Sequence, residues 1–358
     1  MPRSPILLAV RGLDPVGTGR QVELLAAGLA AAGHDVHVAL ATAGGGIATR
    51  LERAGFAVHR VGRRPTAPDA ASVARLVGLV RRLRAGTLLA CGRSLLPAAA
   101  AVALAASRTR VATQLALPPR RQAWWVRRLD HVIATTPWIA DECRRAGVAA
   151  DRLSMIPPGI DADPGTGLDR SAVAVRLGLD PARRWTLCVA PLEAGSRLER
   201  LAWGIDQLGV VRRDVQHVVV GAGPLRARLL RRARIQEFAE RLFLVPHCDV
   251  LPDLLGHLAL VWQSGDVAHG GAILDGLARG VPAVAVAGDA ARQLVADGAT
   301  GRVVPPLPES EFPRRAFGIL EDDALAARWA AAARARAEAE FPVARMVAAH
   351  VAVLGRLA

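Results

Sequence analysis

A chain of 358 residues, 52% hydrophobic and 22% charged, is too long for one small domain and too apolar to be disordered. All 46 basic residues are arginine, and lysine, asparagine and tyrosine are absent, which points to GC-rich coding as the source of much of the formal charge of +14. The charge is therefore no nucleic-acid signal, and no nucleic-acid partner is expected.

The charge is unevenly placed. Residues 1–164 carry 22 Arg against 11 Asp and Glu, a net +11, whereas residues 165–358 carry 24 against 21, a net +3. A basic N-terminal half suits phosphates, lipid head groups or acidic polymers. Cys91, Cys143, Cys188 and Cys248 stand at least 45 residues apart, so neither a zinc site nor a disulfide framework is signalled, and reduced, buried thiols are expected. The apolar run 5–10 is too short for a secretory signal. The longest apolar run, 95–106, has 12 residues against the roughly 20 needed to span a bilayer. A cytoplasmic protein is expected.

In chain order, an apolar run at 6–10 leads into a Gly/Pro loop at 12–19. An amphipathic stretch follows with Val22, Leu25 and Leu29 on one face, Gly33 stops it, and a second apolar run occupies 36–40. Further short apolar runs at 88–91, 111–115, 131–135 and 153–156 alternate with helical patterns, as in a parallel sheet covered on both faces. After Ile156 the turn-rich sequence Pro157-Pro158-Gly159-Ile160-Asp161 suggests a boundary. The pattern then restarts with strands at 186–189, 217–220, 242–245, 258–262 and 283–286. Residues 323–340 and 343–357 read as terminal helices separated by Phe341-Pro342. The expected fold is α/β with two doubly wound Rossmann-like domains facing a cleft. Residues 1–161 form the first, 162–341 the second, and 342–358 a last helix that would pack back on the first.

The segment 264–287, SGDVAHGGAILDGLARGVPAVAVA, holds the strongest chemical signal. A buried strand, a glycine-rich loop and a helix stopped by Gly280 would aim the amides around Gly270, Gly271 and Ala272 at an anion near the positive end of a helix dipole. Asp275, one turn on, suits ribose hydroxyls. The plainer alternative is a tight turn followed by a dipole-complementing Asp. His269 lies in the same loop, where it either contacts a ligand or is an ordinary loop histidine.

This segment resembles the nucleotide-sugar site of retaining glycosyltransferases of family 4, which have the GT-B fold. The loop 17–22, the passage LAAAGHDVHV at 29–38, the stretch 132–161, the turn 219–225 and the loop 297–301 are similar to further family segments in the same order. The resemblance implies transfer of a sugar from a nucleotide diphosphate sugar to a glycan or lipid-linked acceptor, with retention and without a metal or other cofactor. It places the base and ribose near Gly221, Gly223 and Asp275 and the diphosphate at 270–272. The acceptor then lies against Gly17, Thr18, Gly19 and Arg20 of the first domain; Arg93, which follows an expected strand, points to the cleft on topology alone, the alternative being an ordinary surface arginine. The departures fall on charged positions. The first of two paired glutamates is Val267, with Asp266 one residue off register. A donor-binding Arg and Lys are replaced by Pro191 and Ser196, leaving Arg197 as the adjacent cation, and no His follows Thr113-Gln114-Leu115. These losses motivate the alternative of a degenerate GT-B protein that binds a nucleotide, glycan or partner without turnover; a sugar-nucleotide epimerase ranks lower, since it too needs charged cleft residues.

The segment 119–128, PRRQAWWVRR, is read as a helix whose tryptophans pack on the sheet while its arginines face water. The alternative is weak contact with an anionic membrane at the inner face.

Overall fold

The computed structural model of the chain describes residues 4–12, 17–41, 46–62, 69–161 and 165–357. The expectation about a leader at residues 1–3, part of the opening loop and positions 162–164 of the linker lie outside the described residues. The chain divides into two units, one of residues 1–159 with 341–358 and the other of residues 160–340.

The first unit is a sheet of seven parallel strands: β1 (Ile6–Val10), β2 (Val36–Leu40), β3 (Ala57–Arg60), β4 (Thr87–Cys91), β5 (Arg110–Leu115), β6 (His131–Ala134) and β7 (Leu153–Met155). Their order is β3-β2-β1-β4-β5-β6-β7. Helices cover both faces, so every residue of β1 is buried: Ile6, Leu8 and Val10 enter one core, Leu7 and Ala9 the other. That double burial is why the strand reads as an unbroken apolar run.

The helix Thr18–Ala31 buries Val22, Leu25, Ala26 and Leu29, one stripe at helical spacing. Against it packs the final helix, Val343–Leu357, through Met346, Val353 and Leu354. The approach is close, since a Cβ at Gly28 would lie 2.3 Å from Val347 Cγ2. Gln21 on the same helix grips the chain where the first unit ends: its Nε2 donates to the Gly159 carbonyl (2.7 Å), and its Oε1 accepts from the Gly159 amide (2.9 Å).

The second unit is a sheet of six parallel strands: β8 (Arg184–Val189), β9 (Val215–Val220), β10 (Leu242–Val245), β11 (Leu260–Gln263), β12 (Ala283–Val286) and β13 (Gly301–Val304). The order is β10-β9-β8-β11-β12-β13. Its core centres on Trp262, which lies against Phe312 and His217. The Trp262 indole donates to Thr186 Oγ1 (2.8 Å), and that oxygen lies 2.8 Å from His217 Nδ1, so three buried polar groups satisfy one another. Buried Asp253 fixes the start of this unit by accepting from the amides of Thr166 (2.8 Å) and Leu168 (3.0 Å).

The segment around Trp124 and Trp125 departs from the helical reading. It forms a short 3-10 turn, Arg120–Gln122, and a four-residue helix, Ala123–Val126. Trp125 packs on the core, but Trp124 stacks on it from outside, 47% exposed, with Arg128 over its ring. One turn of helix is too short to turn both adjacent rings inward. All four cysteines are buried free thiols, as expected, and burial raises Cys91 and Cys188 to about 12. They are neutral and unreactive at physiological pH.

Candidate functional site

In the second sheet, β8 to β10 run outward on one side and β11 to β13 on the other, so the strand order reverses between β8 and β11. Open parallel sheets bind ligands beyond the carboxyl ends of the strands at such a switch point. Three loops meet there: 190–197 after β8, 221–225 after β9 and 264–272 after β11.

Close backbone packing holds the loops together. Gly221 has φ 155°, and a Cβ on it would lie 2.0 Å from the Ala190 carbonyl oxygen. In the same turn as Gly223, the Ala222 carbonyl accepts from the Leu192 amide (2.9 Å), and the Leu225 amide donates back to the Leu192 carbonyl (3.0 Å). Ser264 Oγ donates to the Ser196 carbonyl (2.9 Å) and so ties the β11 loop to the β8 loop. Arg200 supports that tie, its Nη1 donating to the Ser264 carbonyl (3.4 Å) and its Nε lying 3.6 Å from Glu309.

The β11 loop is strained. His269, Gly270 and Gly271 have φ of 54°, 73° and 60° in succession, and His269 is buried. A non-glycine residue held in this region costs on the order of 1–3 kcal/mol, a conformation concentrated at ligand-binding loops. At Gly271, with ψ −120°, a Cβ would lie 2.6 Å from both the Val189 carbonyl oxygen and Gln263 Oε1. Gly271 therefore sits directly over the crevice between β8 and β11.

The turn alters the expected set of anion-binding amides. Gly270 donates to the Val267 carbonyl (3.0 Å) and Gly271 to Ala268 (3.3 Å), because the 3-10 turn Ala268–Gly270 closes on itself. The following helix, Ile273–Ala278, is only six residues long. By helix geometry, the amides turned outward begin at Ala272 and continue through Ile273 and Leu274. Asp275 lies in the first turn of that helix, half-buried.

The charged positions fall as follows. Val267 packs on the second unit's core and Asp266 is exposed beside Gly288, so neither supplies a buried carboxylate. Arg197 adopts φ 52° as the cap of the helix Leu198–Val211, with its residue exposed at the rim of the three loops. Buried Ser196 turns its carbonyl, not a cation, to the site.

In the first sheet the order reverses between β1 and β4. Gly17, at φ 63°, caps the helix that begins Thr18-Gly19 after β1, and Gly92, at φ 105°, precedes Arg93 after β4, so both groups flank that second switch point. The Arg20 guanidinium lies on its own helix against Glu23 (2.7 Å), which Arg50 also grips through two contacts of 2.7 Å. Arg93 Nη1 donates to the Pro118 carbonyl (3.5 Å). Sequence reasoning missed Gln21, Arg200 and Gln263. The signal for the last was a polar residue at the end of an otherwise apolar strand.

Two doubly wound parallel sheets in one chain, each with its glycine-rich loops gathered at a switch point, define a GT-B protein. Residues 15–164 match the Glycosyltransferase Family 4 model and residues 183–322 the Glycosyl transferases group 1 model, and the chain belongs to the family 4 glycosyltransferases. It is similar to D-inositol 3-phosphate glycosyltransferase of Mycolicibacterium gilvum, 30% identical over 165 residues, a match covering 43% of this chain and 36% of that relative. The chain thus spans about a third of the length of the curated relative it matches. Among solved structures, HepE of Anabaena in complex with UDP and glucose shares the fold with a TM-score of 0.83 at 20% identity, covering 99% of this chain and 100% of that one. Sucrose-phosphate synthase of Thermosynechococcus elongatus does so at 0.79 and 16%, covering 99% of each.

Proposed function

We propose that the protein transfers a sugar from a nucleotide diphosphate sugar to a glycan or lipid-linked acceptor, with the donor held by the second unit. The observation that carries this reading is the convergence of the 190–197, 221–225 and 264–272 loops at the β8/β11 switch point, which leaves bare backbone where a diphosphate needs close approach. The base lies against Gly221 and Gly223, the ribose hydroxyls against Asp275, and the diphosphate along the turn 270–272. Amides from Ala272 onward and Arg197 supply its contacts, and His269 borders the sugar. The fold shared with HepE, whose structure holds UDP and glucose, supports a donor of this chemical class. The acceptor lies against 17–20 and Arg93 of the first unit. Retention of configuration and operation without a metal or other cofactor follow from the family resemblance and belong to the same reading.

Departing diphosphate is stabilised electrostatically, and an ionic contact to it contributes about 1.5–3 kcal/mol. With Pro191 and Ser196 at positions the family gives to cations, the amides and Arg197 carry that role. Calorimetry with UDP-glucose, GDP-mannose and ADP-glucose, paired with an assay of released nucleotide, tests the reading. One donor is expected to bind and to release its nucleotide when an acceptor is present. Asp275→Ala is expected to weaken that donor about tenfold, the size of a lost charge-assisted hydrogen bond. Unchanged affinity would remove the ribose assignment, and binding without release under any acceptor would favour a non-catalytic binder.

The first unit carries the finer proposal of weak contact with an anionic membrane at the cytoplasmic face. Exposed Trp124 beneath Arg128, on the half with net +11, combines an amphipathic ring with cations. None of the described helices is long and apolar enough to cross a membrane. Co-sedimentation with phosphatidylglycerol vesicles is expected to be measurable at low salt, to weaken at high salt, and to fall several-fold in Trp124→Ala/Arg128→Gln. Equal binding to neutral vesicles would reject the proposal.

A further inference from the structure

Gln263 ends β11 at the switch point of the second sheet, and only 2% of its surface is exposed. Its Nε2 donates to the Gly265 carbonyl (3.1 Å), whereas its Oε1 is buried with no hydrogen-bond partner among the described residues. Turning the amide over would set two acceptor oxygens against each other at Gly265, so the orientation is fixed by the contact it makes. The orphaned oxygen lies beside Gly271, 2.6 Å from where a Cβ there would be. A buried acceptor without a donor costs about 1–3 kcal/mol, which is a reason to look for a ligand that supplies the donor.

We propose that Gln263 is a specificity-determining residue whose Oε1 accepts a hydrogen bond from a hydroxyl of the nucleotide sugar. The inference rests on the reading of the second unit as the donor-binding half. The chemistry limits the partner: Oε1 only accepts, an ionised diphosphate carries no proton to offer, and the phosphates are therefore not what it reads. A hydroxyl bound close to the turn 270–272 comes from the transferred sugar or from the ribose. Either one, brought to Gln263, completes a carboxamide already half satisfied by Gly265. A sugar lacking that hydroxyl leaves the acceptor buried and unpaired, which discriminates more strongly than a missed apolar contact.

The test is a binding cycle by calorimetry on the full chain and on Gln263→Leu, which keeps similar bulk and removes the acceptor. The probes are UDP-glucose, GDP-mannose and ADP-glucose, the diphosphates UDP, GDP and ADP, and the 2′,3′-dideoxy forms of those diphosphates. For the donor that the wild-type chain binds, the variant is expected to bind about tenfold more weakly, the factor of one buried neutral hydrogen bond. If the sugar supplies the hydroxyl, wild type and variant bind the bare diphosphate equally. If the ribose supplies it, the diphosphate also weakens about tenfold in the variant, and the dideoxy form binds both proteins equally. The melting temperature of the ligand-free variant is expected to change little, because the unpaired acceptor leaves together with the Nε2 bond to the Gly265 carbonyl and the two effects oppose each other. Equal donor affinity in both proteins would overturn the inference alone, and so would a loss of the same size for every probe accompanied by a lower melting temperature, which marks a scaffold role. Failure of the wild-type chain to bind any of the probes would overturn the donor-site reading and this inference with it.

Discussion

Gly271→Ala is expected to reduce nucleotide-sugar affinity at least a hundredfold while leaving the first unit folded. Position 271 holds φ 60° and ψ −120°, a combination that an L side chain rarely adopts, and the new Cβ would press within 2.6 Å of the Val189 carbonyl oxygen and Gln263 Oε1. The Val189 carbonyl belongs to a central strand and cannot give way without moving β8, so the turn moves instead. Backbone strain of this kind costs on the order of 1–3 kcal/mol, and a displaced turn loses its contacts with the diphosphate as well. A hundredfold loss corresponds to about 2.7 kcal/mol. Calorimetry with the donor found by the panel measures the affinity, and limited proteolysis separates local displacement from unfolding. Retained affinity would show that the turn 264–272 is not the diphosphate site.

Acid is expected to destabilise both units through two buried histidines. His217 is pushed down to about 3, first by burial and then by Arg241, and His350 falls to about 4 through burial, opposed by its hydrogen bond to the Met346 carbonyl. Both are neutral in the folded chain at pH 7. Once unfolded, they return to an ordinary value near 6.5 and take up protons, so the unfolded state binds more protons between pH 6.5 and the folded values. Stability contributed by neutral burial is therefore complete above about pH 6.5 and is lost as the pH falls toward 4 and then 3. One pH unit of such difference is worth about 1.4 kcal/mol, so each unit loses about 2 kcal/mol by pH 5. Denaturant titrations at pH 7 and pH 5 are expected to show that loss. His217→Gln retains a hydrogen-bonding partner for Thr186 but cannot titrate, and should flatten the pH dependence of the second unit. The same pH dependence in that variant would rule out His217 as its source.

Sequence pattern is most informative where burial is two-sided. β1, β12 and the terminal helices Asp323–Glu340 and Val343–Leu357 have the limits their patterns indicate, because continuous apolar runs and uninterrupted helical stripes leave few alternatives. The strands absent from that reading, β3 and β13, lie at sheet edges, as β10 does, but β10 reads LFLV whereas β3 reads AVHR and β13 reads GRVV. With partial exposure they contain Arg60 and Arg302, so no apolar run advertises them. The glycines of the second unit were legible for the same reason as its core strands: close backbone approach admits nothing larger. The carboxamide of Gln263, the Ser264 tie and the brace from Arg200 were not, since their importance depends on which loops the strand order brings together, and that order is not encoded in local spacing.

The first unit is assembled from both ends of the described chain, with the second unit inserted between Gly159 and Phe341. During synthesis, the face of the helix Thr18–Ala31 at Gly28 waits for Val347 of the helix Val343–Leu357 until all of residues 160–340 have been made. The first unit, although its seven strands are all made first, is the last to be completed. Until then that uncovered face is a place for a chaperone to bind.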